Sequence, residues 1–66
     1  MSNRIADSFK KLRRKEGYSL EKVARLANLS LNTIVKVENG ANKNPTIETL
    51  TKIANALNVG VDDLIK

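Results

Sequence analysis

The chain has 66 residues, 12 of them Lys or Arg and 7 Asp or Glu, giving a formal net charge of +5. It contains neither cysteine nor histidine, which excludes disulfide bonds, thiolate metal sites and the side chain most used for acid–base chemistry near neutral pH. No apolar run approaches the roughly 18 residues of a membrane span, and the N-terminus lacks a signal-peptide apolar region, so a cytoplasmic protein is expected. The basic balance favours a polyanionic partner, with nucleic acid first. A chain of this length forms one domain, residues 1–66.

Apolar residues recur at helical spacing along the whole chain, and no segment alternates with a period of two. This pattern predicts five helices and an all-α fold. The first helix is predicted to run from about Arg4 to Glu16 and to end at Gly17. Its apolar stripe consists of Ile5, Phe9 and Leu12.

The second and third helices are predicted to be short and separated by a tight turn. Ser19 caps the second helix, whose inward residues are Val23, Ala24 and Ala27. Asn28 follows it, and Asn accepts the left-handed conformation of a tight turn more readily than most residues.

The third helix is predicted to begin after the cap Ser30 and to end before Gly40. Ile34 and Val37 form its inward pair. Because an α-helix has 3.6 residues per turn, the opposite side presents one patch. That patch consists of Leu31, Asn32, Val35 and Lys36.

The C-terminal third of the chain is predicted to hold a loop and two helices. The loop spans residues 41–46, because Pro45 disfavours helix at the residue before it. Thr46 caps the fourth helix, the expected central core helix, which ends at Asn58, and a short fifth helix lies around Val61 to Ile65. The apolar stripe of the fourth helix is Ile47, Leu50, Ile53, Ala54 and Leu57.

The second and third helices, joined by "LANLS", fit a helix-turn-helix over about residues 19–39. In that motif the second helix places its outward N-terminal residues in the major groove of DNA. Asn32 can bond adenine in a bidentate way, while Leu31 and Val35 can pack on thymine methyl groups. Lys36 can reach guanine or a phosphate. The alternative for each is an ordinary surface position, since single exposed apolar residues are common.

From Leu12 to Ile65 the chain resembles the phage repressor and Cro-like helix-turn-helix family, also called the XRE family. The matching segments are "LRRKEGYSLEKVARLANLSLNTIVKVENG" and "NPTIETLTKIANALNVGVDDLI", which include the "ENG" at the end of the third helix and the "KIANALNV" run. The resemblance implies a five-helix, lambda-repressor-like DNA-binding domain. It further implies a transcriptional regulator that binds double-stranded operator DNA, usually as a homodimer.

The resemblance also implies a set of contacts to DNA phosphates. The family commonly has Gln at the position of Leu20, which has no side-chain donor, so the clamp there depends on backbone N–H groups at the helix N-terminus. Turn formation is the alternative role for Asn39, Lys43 and Asn44, and both roles are compatible. The expected phosphate contacts are Ser19, Leu20, Asn39, Ala41 through its N–H, Lys43 and Asn44.

Two further roles follow from the resemblance. Arg13 is expected to pair with Glu38, which would join the first helix to the end of the recognition helix as a positioning device. The apolar C-terminal residues are expected either to fold onto the core or to form a dimer interface; they are Val59, Val61, Leu64 and Ile65. The run "KKLRRK" otherwise indicates a solvated basic face.

Together these patterns predict a DNA-binding regulator, most often a repressor, acting as a dimer on a two-fold-related operator. No catalytic residues, metal, cofactor or membrane contact are predicted. The alternative is a protein-interaction module, such as an antitoxin, whose apolar patch would bind a toxin or anti-repressor protein. RNA is a weaker candidate, because Phe9 and Tyr18 are the only aromatic residues and make no stacking platform.

Overall fold

A computed structural model describes residues 4–65, which form five helices and no strand. None of these helices is long and apolar enough to cross a membrane. The number, order and type of elements agree with the predicted all-α fold. The helices are α1 (Arg4–Glu16), α2 (Leu20–Ala27), α3 (Leu31–Glu38), α4 (Ile47–Ala56) and α5 (Val61–Ile65).

Hydroxyl side chains cap α2, α3 and α4, as predicted. Each hydroxyl accepts a hydrogen bond from the backbone N–H three residues further on. Such a cap satisfies one of the free N–H groups of the first turn and contributes about 1 kcal/mol. The pairs are Ser19 with Lys22 at 3.1 Å, Ser30 with Thr33 at 3.2 Å, and Thr46 with Thr49 at 3.1 Å.

Left-handed residues follow four of the helices. Gly17 has φ of 73°, Asn28 of 56°, Gly40 of 81° and Asn58 of 58°. After Gly17, Asn28 and Asn58, the next N–H bonds the carbonyl five residues before it, which is the Schellman arrangement. These bonds are Tyr18 to Arg13 at 3.1 Å, Leu29 to Ala24 at 2.9 Å and Val59 to Ala54 at 3.0 Å. The chain therefore reverses within a few residues and brings successive helices into contact.

The core lies between the helices, because α1 packs on α3 and α5, α2 packs on α3 and α4, and α4 packs on α5. Burying one such aliphatic or aromatic side chain contributes roughly 1.5–3 kcal/mol. α4 and its C-terminal cap supply five of the core residues, consistent with the expected central helix. The large side chains that are fully buried are Phe9, Val23, Ile34, Val37, Ile53, Leu57 and Leu64.

The apolar stripe of α4 is shorter than predicted. Leu50, Ile53, Ala54 and Leu57 are buried, but Ile47 is 70% exposed. Ile47 is the first residue of the helix, directly after the 41–46 loop. Helical periodicity gives the direction of a side chain but not how far the neighbouring helices extend to cover it.

The predicted dimer interface also needs a correction at α5. Leu64 is fully buried in the core of its own chain, so it has no surface to offer a partner. Val59 and Val61 are half-buried and pack against the same core, whereas Ile65 is 48% exposed. A helix of five residues makes about 1.4 turns, and its apolar side is taken up by α1 and α4.

Candidate nucleic-acid interface

The turn between α2 and α3 brings the two helices into close contact. Ala24 and Ala27 are buried, and small side chains at these positions let the helices approach each other. The carbonyl of Ala24 accepts hydrogen bonds from the N–H groups of Asn28 and Leu29. These bonds satisfy the end of α2 and set the direction in which α3 leaves the turn.

α3 has one buried face and one outer face. Ile34 and Val37 are buried, so the helix cannot rotate without disrupting the core. The four predicted base-contact residues lie together on the opposite side. On this outer face Asn32 and Lys36 are exposed, Leu31 is 43% exposed and Val35 is half-buried.

The outer face of α3 suits the edges of base pairs in chemical terms. The amide of Asn32 offers both donors and an acceptor, Lys36 offers a positive charge, and the side chain of Leu31 offers apolar surface. Glu38 is the only acidic residue of α3, and its carboxylate bonds Arg13 rather than standing on this face. The outer face therefore carries no carboxylate that would repel DNA phosphates.

The predicted ion pair between Arg13 and Glu38 is present in the structure. Arg13 Nε donates to Glu38 Oε1 at 2.9 Å, and Nη2 donates to the same oxygen. Arg13 Nη1 donates to the carbonyl of Tyr18 at 2.8 Å. The two charged side chains are only 15% and 16% exposed. Arg13 thus joins α1, the connection before α2 and the last turn of α3.

The bond to Tyr18 was not predicted from the sequence. Every residue has a backbone carbonyl, so no residue type marks the one that will accept a side-chain bond. The Lys22 ammonium also lies 5.4 Å from the centroid of the Tyr18 ring, within the range of a cation–π contact. Tyr18 therefore contacts both Arg13 and the first turn of α2.

The N-terminus of α2 contains two of the predicted phosphate contacts. Ser19 is exposed, but its hydroxyl oxygen already accepts the Lys22 N–H. Leu20 is half-buried, and its side chain packs against the core. Any contact of Leu20 with a phosphate would therefore use its backbone N–H, as expected from a side chain without a donor.

The loop after α3 is organised by two Asn side chains. Asn39 Oδ1 accepts the Ala41 N–H at 2.8 Å, and Asn42 Oδ1 accepts the Asn44 N–H at 3.3 Å. The Ala41 N–H, predicted to bind a phosphate, is thus already used within the turn. Asn42 was not predicted as a turn residue, although an Asn side chain in a loop often accepts the backbone N–H two residues further on.

A backbone hydrogen bond attaches the same loop to α3. The Asn42 N–H donates to the carbonyl of Lys36 at 3.0 Å. Lys43 and Asn44 follow and are exposed, so both predicted phosphate contacts have free access from solvent. Lys43 is the only basic residue between α3 and α4.

Comparison with known proteins agrees with this geometry. Residues 9–64 match the helix-turn-helix family model. The N-terminal DNA-binding domain of SinR from Bacillus subtilis is 29% identical, with a TM-score of 0.92 over 98% of this chain and 94% of that one. The restriction-modification controller protein C.AhdI from Aeromonas hydrophila is 27% identical, with a TM-score of 0.88 over 94% and 92% of the two chains. No curated protein sequence matches. The chain belongs to the XRE-type helix-turn-helix family of DNA-binding transcription regulators.

Proposed function

We propose that the protein is a cytoplasmic repressor that binds a two-fold-related operator as a homodimer. The observation that carries this proposal is the outer face of α3. There Leu31, Asn32 and Lys36 are exposed side by side, while the opposite face is anchored in the core. Catalysis, metals and cofactors form no part of this function.

Base contacts are assigned to the start and middle of α3. Asn32 bonds adenine, Leu31 and the exposed edge of Val35 pack on thymine methyl groups, and Lys36 binds guanine or a phosphate. Within residues 4–65 the side chain of Asn32 makes no hydrogen bond that would have to break before it binds a base. The nearby cap of α3 is formed by Ser30 and Thr33 and does not involve Asn32.

Phosphate contacts are assigned to both ends of the motif. At one end they are Ser19 and the backbone of Leu20. At the other end Lys43 supplies the charge, and the exposed side chains of Asn39 and Asn44 supply donors. Because Asn39 Oδ1 already accepts the Ala41 N–H, its amide NH₂ is the group that remains for a phosphate.

A dimer is expected because α3 alone, the recognition helix of one protomer, contacts only a short DNA site. α3 has eight residues, so it is about 12 Å long and spans about four base pairs. A DNA site of that length recurs too often in a genome to specify one promoter, whereas a dimer recognises a site twice as long. Ile65, with the exposed parts of Val59 and Val61, provides the remaining apolar surface at the C-terminal end.

Selection of bound sequences from a random DNA pool tests this function. We expect an enriched short motif that occurs twice, inverted, with centres about 10 base pairs apart. A single motif without its inverted copy would contradict the dimer, and a pool without enrichment would contradict sequence-specific binding. Sedimentation of the protein, with and without the selected duplex, then measures the stoichiometry.

The direction of regulation needs a separate measurement. The selected site is placed across a promoter that drives a reporter gene, and a scrambled site serves as the control. We expect lower expression only with the selected site. Higher expression would identify an activator instead of a repressor.

A protein-interaction module, such as a toxin-neutralising antitoxin, is the second candidate. The observation in its favour is exposed apolar surface at Leu26, Leu31 and Ile47. A stoichiometric partner that stays bound after nuclease treatment would favour this alternative. Loss of that partner in Leu31→Ser, with DNA binding retained, would place the partner's surface on α3.

A further inference from the structure

The positive charge of the chain is concentrated outside the helix-turn-helix. α1 contains six Lys or Arg and two acidic residues, a balance of +4 within the net charge of +5. α2 and α3 together contain only three basic and two acidic residues. Most of the electrostatic attraction for a polyanion therefore comes from a helix to which the function described above assigns no DNA contact.

Three of these cations form one exposed face of α1, which we name the α1 stripe: Lys11, Arg14 and Lys15. Phe9 is fully buried, and Arg13 bonds Glu38 on α3. Lys11 and Lys15 each follow one of these inward residues by two positions, a rotation of about 200°. The α1 stripe thus lies on the side of α1 that faces away from α3, separated from α3 by about the 10–12 Å diameter of a helix.

An ordinary solvated face does not account for the α1 stripe. Lys11 lies three and four residues before Arg14 and Lys15, and like charges at these spacings weaken a helix. The helix dipole favours cations in the last turn, which explains Arg14 and Lys15 but not Lys11. The acidic residue spaced to attract Lys11 is Asp7, four residues before it, and no ion pair joins the two within residues 4–65. The two ion pairs found within residues 4–65 join Arg13 to Glu38 and Lys52 to Glu48, so neither neutralises the α1 stripe.

We propose that the α1 stripe is a second DNA-binding surface, which contacts a sugar–phosphate backbone beyond the segment bound by α3. Lys11 and Lys15 are about 6 Å apart along the helix and face a polymer with one charge per 3.4 Å of each strand. No aromatic residue stands among these three cations, so the α1 stripe neutralises phosphates without selecting bases. This second surface rests on the proposed function, DNA binding by α3, because docking of α3 holds DNA near the α1 stripe at high effective concentration.

The phosphates can belong to either of two DNA segments. One is the flank of the same duplex, which must bend around the domain to reach the side of α1 opposite α3. The other is a second duplex, which the protein would bridge to the first. Both segments present the same chemistry, and the length of the DNA distinguishes them.

The test compares two variants with the same change in charge. Lys11→Gln/Lys15→Gln removes two charges from the α1 stripe. Lys52→Gln/Asn55→Glu lowers the net charge by the same amount on exposed or half-exposed positions of α4. Lys11→Arg/Lys15→Arg keeps the charge and should behave as the parent. Thermal melts establish that each variant is folded.

Affinity is measured across a salt series for duplexes of random sequence, about 20 and about 60 base pairs long. A flank contact predicts that the Lys11→Gln/Lys15→Gln variant loses about two units of salt slope on the long duplex, and less on the short one. If the α1 stripe binds a second duplex, the salt slope of the Lys11→Gln/Lys15→Gln variant should be equal on the long and the short duplex. The parent should capture a labelled duplex on an immobilised one, and this variant should not. Either result supports the α1 stripe.

If the Lys11→Gln/Lys15→Gln variant matches the α4 variant in both assays, the inference is overturned, because only overall charge then matters. Since the duplexes have random sequence, this result does not depend on an operator. Failure of sequence selection with a persistent effect of the α1 stripe would reject the operator and retain this surface.

Discussion

α3 and α5 are both short helices with apolar residues that the sequence allows to be surface contacts, yet the structure uses them differently. Leu31 on α3 stays 43% exposed, whereas Leu64 on α5 is fully buried. α3 has eight residues, about 2.2 turns, which is enough for a buried face and a separate outer face. α5 has five residues, and its apolar side is consumed in docking on α1 and α4. The number of turns therefore limits how much of a helix stays free for binding once one side has packed on the core.

The two helices also differ in how they are held. The last turn of α3 is attached from outside, through the bond of Glu38 to Arg13 and the bond of the Lys36 carbonyl to the Asn42 N–H. The first turn of α5 is closed within itself, where Asp63 Oδ2 accepts the Gly60 N–H at 3.0 Å. External attachment orients the outer face of α3, and this orientation is what a DNA-contacting helix requires.

The largest expected effect comes from detaching α3. Arg13→Met should lower the free energy of unfolding by about 3–5 kcal/mol, because it leaves the Glu38 carboxylate largely buried without its partner. Glu38→Leu should cost less, since Arg13 keeps its bond to the Tyr18 carbonyl. Chemical denaturation measures both variants and the double variant, which should lose less than the sum. Parental stability in both single variants would show that the pair does not hold α3.

The next-largest effect should distinguish Leu64 from Ile65, which are adjacent residues at the end of α5. Leu64→Ala should cost about 3 kcal/mol, because it leaves a cavity in the core, whereas Ile65→Ala should change stability by less than about 0.5 kcal/mol. Thermal melts at low concentration measure the folded monomer, and sedimentation measures association. A weaker dimer in Ile65→Ala is expected. Equal destabilisation by the two changes would mean that α5 buries both residues.

A smaller effect is expected on the outer face of α3. Asn32→Ala should lose about 1–3 kcal/mol of discrimination at one base position of each half-site, because the bidentate bonds to adenine are lost. Binding to unrelated DNA should stay nearly unchanged. Titration of selected and scrambled duplexes measures this difference, with Asn55→Ala, an exposed Asn on α4, as the control. Equal weakening on both duplexes would show that Asn32 does not contact a base.

The smallest effect is expected beside α3, in the loop that Asn42 attaches to it. Lys43→Ala should weaken binding to every sequence alike and lower the salt slope by about one unit, because one phosphate contact is lost. Lys52→Ala on α4 removes the same charge elsewhere and serves as the control. A changed base preference in Lys43→Ala would mean that the loop, and not α3 alone, contacts bases.

Most of the fold could be predicted because its determinants are local. The caps Ser19, Ser30 and Thr46 bond N–H groups three residues away, and the left-handed turn at Asn28 uses carbonyls within five residues. The inward pair of α3 follows from helical periodicity in the same way. Resemblance to a known family added the partner of Arg13, which lies 25 residues away along the chain and which no local pattern indicates.

The sequence by itself thus determined the five helices, their ends and the division of α3 into two faces, since these depend on hydrogen bonds and periodicity over a few residues. Only the tertiary structure decided that Ile47 is exposed, that Leu64 is core while Ile65 is surface, and that Arg13 bonds the Tyr18 carbonyl. Burial depends on which other helix covers a residue, and a backbone carbonyl is the same in every residue. Both are settled only when distant parts of the chain pack together.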